Sequence, residues 1–89
     1  MPTITLTSHL SAQAGGGTFE VSGANVREAL EALFAIKPAL RSYLLDDHGA
    51  LRHHVAAFVN GKVVRDKASL SDPVEPGGEL FVLQALSGG

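Results

Sequence analysis

Three sets of residues in this chain have the types and spacing to do chemistry: the terminal Gly88-Gly89, the stretch Asp46-Asp47-His48 with His53-His54, and the run Gly15-Gly16-Gly17. A Gly-Gly end offers a carboxylate on a backbone without side chains. Such a backbone fits a narrow channel and takes φ/ψ values closed to other residues. Two glycines alone are weak evidence, because flexible ends are common. Adjacent histidines on a strand point to opposite faces and do not chelate one ion well, so His53 and His54 read as solvated turn and strand-edge residues and no metal is expected. A phosphate-binding loop needs a following Lys-Ser/Thr and a helix. Thr18-Phe19-Glu20 supplies neither, so the glycine run reads as a hairpin loop. No Ser/His/Asp triad can be assembled, and Ser87 reads as a small tail residue. Asp66, Asp72, Glu75 and Glu79 read as a solvated loop. Their other reading is electrostatic, toward basic residues around a partner's entry channel, where they would act mainly on docking rate and specificity.

The elements that must position these groups belong to one domain. The chain has 89 residues, 45% hydrophobic and 18% charged, an ordinary globular composition. A core of this size leaves little wall for a deep substrate cavity, which argues against a freestanding enzyme. A net charge of −2 without a basic cluster argues against nucleic acid. The absence of cysteine excludes disulfides, thiolate catalysis and Cys-based metal sites, and suits a cytoplasmic protein. The first residues carry no charged lead before a long apolar run, so no signal peptide is expected. No stretch approaches the ~20 apolar residues that would span a membrane.

Residues 3–10 alternate Thr with Ile and Leu, and predict a strand. Residues 18–22 predict a second, with Phe19 and Val21 on one face. Asn25 is a helix cap, with Glu28 at capping-box spacing. Val26, Ala29, Leu30 and Leu33 make one apolar stripe, and Lys37-Pro38 ends the helix. A short turn follows over 39–45, with Leu40, Leu44 and Leu45 covering the core. Residues 55–59 predict a buried central strand, and Asn60-Gly61 predicts a hairpin that returns through 62–64. Residues 66–76 read as a polar connection with one helical turn near Ala68 to Leu70. Residues 79–86 are apolar on both faces, as in a central strand, and are expected to pair beside the first strand. Strand, strand, helix, strand, short strand, strand, with one main helix on one face of a mixed sheet, predicts an α+β fold of the β-grasp type.

In this order the sequence resembles the sulfur-carrier family that includes the small subunit of molybdopterin synthase and the thiamine-pathway carrier, the MoaD/ThiS group. The resemblance covers essentially the whole chain. It is carried by the capped helix to Ile36 and by Lys37-Pro38-Ala39-Leu40-Arg41. It continues through Leu44-Leu45-Asp46-Asp47, Gly49-Ala50-Leu51-Arg52 and Phe58-Val59-Asn60-Gly61-Lys62-Val63-Val64-Arg65. It ends on Phe81-Val82-Leu83-Gln84-Ala85-Leu86-Ser87-Gly88-Gly89. Gln84 and Ala85 stand where family members often carry proline. The thiamine carriers are shorter and lack residues 38–51, so the chain looks more like the molybdopterin-type or other long carriers.

The resemblance implies a ubiquitin-like β-grasp domain over 1–86 and a flexible tail over 87–89. It implies that an ATP-dependent adenylating enzyme of the ubiquitin-activating kind activates Gly89, and that a persulfide or sulfide donor converts the adenylate to a thiocarboxylate. The terminal sulfur then goes to an acceptor, such as the large subunit of a synthase. The chain would bind no cofactor, since the ATP belongs to the activating enzyme, and it would be a carrier rather than an enzyme. Ser87, Gly88 and Leu86 would enter the partner, and Leu83 and Phe58 would belong to a docking surface on the sheet face opposite the helix. Which face of the last strand is open, that of Leu80 and Val82 or that of Phe81 and Leu83, is not fixed by a strand apolar on both sides. Molybdopterin synthesis is the leading acceptor. Cysteine or thiamine synthesis, isopeptide linkage to lysines, and a plain interaction module with a flexible end are the alternatives.

Overall fold

Ile4 and Leu6 are buried while Thr3, Thr5 and Thr7 are not, and this period of two makes Thr3–Leu6 the first strand, β1. The computed structural model describes residues 1–7, 10–11 and 15–84. Strand β2, Thr18–Glu20, runs antiparallel to β1 with Ile4 opposite Phe19. The first strand is shorter than its apolar pattern predicts. The Leu10 amide donates to Thr7 O at 3.1 Å, and Leu10 turns into the core instead of extending the ladder. Val21 is also buried, just past the end of β2, where its amide donates to Pro2 O.

Helix α1, Val26–Ile36, starts as its sequence predicts: Asn25 Oδ1 accepts from the Glu28 amide at 2.8 Å. The returning contact is displaced by one residue, because Glu28 Oε1 takes the Ala24 amide rather than that of Asn25. Val26, Ala29, Leu30, Leu33 and Phe34 form the buried stripe. Lys37, pushed out of helical φ/ψ before Pro38, closes the helix by donating its amide to Leu33 O. The short helix α2, Leu40–Leu44, buries Leu40 and Leu44, with Leu45 beside them.

Strand β3, Val55–Val59, turns through Asn60 and Gly61, at φ 49° and 85°, into β4, Lys62–Val63. Two consecutive residues at positive φ are what a tight hairpin requires, and Asn-Gly supplies them at least strain. Strand β5, Glu79–Gln84, lies between β1 and β3, parallel to the first and antiparallel to the second. The sheet order is β2-β1-β5-β3-β4. With the helices against one face, this is the ubiquitin-like β-grasp arrangement. Leu80 and Val82, each 0% exposed, pack on that face with Ile4, Leu30, Leu33 and Leu70.

Two polar loops close the edges. Asp46 accepts from the His48 and Ala50 amides, and Asp72 from the Arg65 and Asp66 amides. Asp66 accepts from Ser69 and Ser71. The one helical turn expected near Ala68 appears as the Leu70 amide donating to Asp66 O, and Leu70 then sits fully buried at φ 59°. Arg27 of α1 ties both loops together, donating to Gly49 O at 2.6 Å and to Ser69 O at 3.0 Å.

Candidate functional site: the open face of the sheet

The face of the sheet away from α1 is built by the other half of each strand's alternation. The ladder pairs Thr18 with Thr5, Thr5 with Phe81, Phe81 with Phe58, and Phe58 with Val63, so these five side chains form one row across every strand. A second row adds Ala56 beside Leu83. Phe81 is 38% and Val63 52% exposed, and Phe58 and Leu83 are half-buried. The result is an open apolar concavity of about 790 Å³ between Thr5, Phe58, Asn60, Phe81 and Leu83. This resolves what periodicity left undecided. Phe81 and Leu83 line the open face, and Leu80 and Val82 are core.

The hairpin tip is latched to the start of β5. Asn60 Oδ1 accepts from the Glu79 amide, and the Asn60 amide donates to Glu79 O, both at 2.9 Å. The residue that makes the turn therefore also sets the register of Phe81 against Phe58. Gln84, the last described residue of β5, pairs with Val55 beside the turn that holds His53 and His54. Those two histidines lie in a turn rather than on a strand, because the Val55 amide donates to Arg52 O. Their rings meet edge to face with centroids 5.4 Å apart. Among the described residues no group of three or more His, Asp or Glu side chains is placed to hold a metal ion.

Of the residues the sequence marks for function, Phe58 and Leu83 come together on the open face. Leu86, Ser87, Gly88 and Gly89 lie outside the described residues. The four acids near the last strand separate: Asp66 and Asp72 are used on backbone amides, while Glu75 and Glu79 are exposed. The amide donors hold the carboxyls of Asp46 and Asp72 below the ordinary range, and the Ser71 hydroxyl leads the same effect at Asp66. Sequence reasoning missed Thr5, Val63 and Glu20 on the open face. The alternation of Thr with Ile in β1 carried that signal, but only once β5 is known to lie beside it.

A β-grasp sheet covered by helices on one side, apolar and open on the other, with its last strand at the centre beside the first, defines the class of ubiquitin-like carrier and modifier domains. The chain belongs to the ThiS family, whose model matches residues 9–89. It is 34% identical over 87 residues to small archaeal modifier protein 1 of Haloferax volcanii, covering 94% of this chain and 95% of that protein. The crystal structure of that relative superposes with a TM-score of 0.82, covering 99% of this chain and 98% of the other. A chain of the Amycolatopsis orientalis BexX/CysO complex, 26% identical, gives 0.87 with complete coverage of both chains. The family consists of small carrier and modifier proteins. Among the described residues no helix is long and apolar enough to cross a membrane.

Proposed function

We propose that this chain is a sulfur carrier whose working group is the carboxylate of Gly89. The observation that carries the reading is the family match, which runs to Gly89 on a chain without cysteine. The Gly89 carboxylate attacks the α-phosphorus of ATP on a partner enzyme, pyrophosphate leaves, and an acyl-adenylate results. Sulfide then displaces AMP to give the thiocarboxylate, a nucleophile for delivery to the acceptor. Enclosure of the tail keeps water from the adenylate. As acceptor we propose molybdopterin synthesis, on residues 38–51, a stretch that the molybdopterin-type and other long carriers have and the thiamine carriers lack.

The open face supports the same reading energetically. Ordering residues 86–89 in a channel costs about 4–8 kcal/mol. Covering what remains exposed of Phe81, Phe58, Leu83 and Val63 returns roughly 1 kcal/mol for each, or about 4 kcal/mol. The tail and the apolar row therefore act as one docking unit. The row lies about 10 Å before Gln84 along β5, and five further residues reach at most ~17 Å, so the partner's chemistry must lie within that span.

Incubation with the adenylating enzyme of the same organism, ATP and sulfide should add about 16 Da to the intact mass as one oxygen becomes sulfur. Removing Gly89 should abolish the gain without changing thermal stability. An unchanged mass under these conditions would refute the carrier reading. A second reading, isopeptide linkage of Gly89 to lysines, is favoured by the 34% identity to a protein named as a modifier. It predicts lysine-linked adducts in cell extract, formed from the same adenylate.

A further inference from the structure

Among the described strand residues that face the open side, the charges are of one sign, and they lie at one end. Its upward-facing residues are Thr3 and Thr5 of β1, Thr18 and Glu20 of β2, Ala56 and Phe58 of β3, Val63 of β4, and Glu79, Phe81 and Leu83 of β5. No lysine or arginine of these strands points there. Lys62 pairs with Val59, on the opposite side of the sheet. Glu20 and Glu79 both stand opposite Thr3, one on each side, which places their Cα atoms roughly 10 Å apart across β1. Both are exposed, and neither joins an ion pair among the described residues. The asymmetry is sharpened by the other acids. Asp46, Asp66 and Asp72 are occupied by backbone amides, and Glu31 by Arg27 and Arg41.

We infer that Glu20 and Glu79 form an acidic clamp at the end of the docking face remote from the tail, and that the activating partner meets it with a lysine or arginine beside an apolar patch that covers Phe81 and Phe58. The inference rests on the carrier reading and adds to it the chemistry and the orientation of the partner's surface. Glu79, Phe81 and Leu83 follow one another on the open side of a single strand, in the direction of the tail. Glu79 precedes Gln84 by about 17 Å of strand. A basic group held there against two carboxylates selects one of the two directions in which an apolar row could be laid on a partner. Only in that direction is Gln84, rather than Glu79, the end of β5 nearer the adenylating centre. A pair of this kind at the rim of an interface acts on encounter rate and specificity, and is screened by salt.

The test is the adenylation reaction itself, read as KM for the carrier and kcat, at low and high salt. With wild type, KM should rise with salt. Glu20→Gln/Glu79→Gln should raise KM at low salt about five- to tenfold, leave kcat unchanged and flatten the salt dependence. Glu79→Lys should raise KM further. Asp47→Asn, an exposed acid in the 46–50 loop, changes net charge by the same unit as Glu79→Gln and should leave KM and its salt slope as in wild type. Both glutamates are exposed, so unchanged thermal melting should accompany every variant. Equal KM and salt slope in wild type and the double variant, with the mass gain intact, would overturn the clamp and leave the carrier reading standing. An effect of Asp47→Asn equal to that of Glu79→Gln would also overturn it, since net charge alone would then explain the result. No adenylation of wild type would overturn both.

Discussion

Leu80 and Val82 differ from Phe81 and Leu83 only in which side of β5 they take, and the two sides have different work. The first pair is fully buried among Ile4, Leu30 and Leu33. The second pair lies beside Phe58 and Ala56 on a face otherwise made of threonines, glutamates and one exposed valine. The covered face is where folding free energy is stored. The open face leaves Phe81 and Val63 exposed, and it is the face on which we propose that the partner docks. Hydrophobicity therefore has two meanings within six consecutive residues of one strand.

The largest effect that could break this contrast is on the covered side. Leu80→Ala should lower stability by about 2–5 kcal/mol in denaturant unfolding, the range for removing a buried leucine. A loss equal to that of an exposed position would mean that the strand's faces are misassigned. On the open side, Phe81→Ala should cost no more than about 1 kcal/mol of stability. It should raise KM for adenylation by about tenfold, from the loss of one aromatic anchor. The smallest effect sharpens the same division among the carboxylates. Asp46, Asp66 and Asp72 have pKa values lowered in the folded state, so the unfolded chain binds more protons. Their contribution is complete above the ordinary carboxylate pKa of about 4, and is lost as pH falls through the lowered folded values. Thermal melting followed from pH 5 downward should show this loss. Asp66→Asn/Asp72→Asn should flatten it.

Much of the architecture was legible because local chemistry and tertiary packing agree. Asn25 caps the helix, Lys37-Pro38 ends it, Asn60-Gly61 turns the hairpin, and β5 is central beside β1. The misses have a common cause. Leu10 reads as more strand because its apolarity continues the alternation, yet the chain bends to bury it. Glu28 returns to Ala24 rather than Asn25, a shift that spacing alone does not resolve. His53 and His54 are no miss: they sit in a turn, as read, held by the Val55 amide donating to Arg52 O. Phe58 and Leu83 were named from the sequence and share the open face, but their companions Val63, Thr5 and Glu20 depend on strand register. Register across the 7–17 connection is set by how the sheet pairs, and no local pattern states it.

The parallel pairing of β1 with β5 has a mechanical consequence. Thr3, Ile4, Thr5 and Leu6 lie beside Glu79, Leu80, Phe81 and Val82 in the same direction. A pull directed outward past Gln84, resisted at the start of β1, draws these strands past each other along their length. The hydrogen bonds between them are then strained together instead of being unzipped one after another. A domain held by its tail, as proposed above, would meet a pull along that line in shear rather than by unzipping.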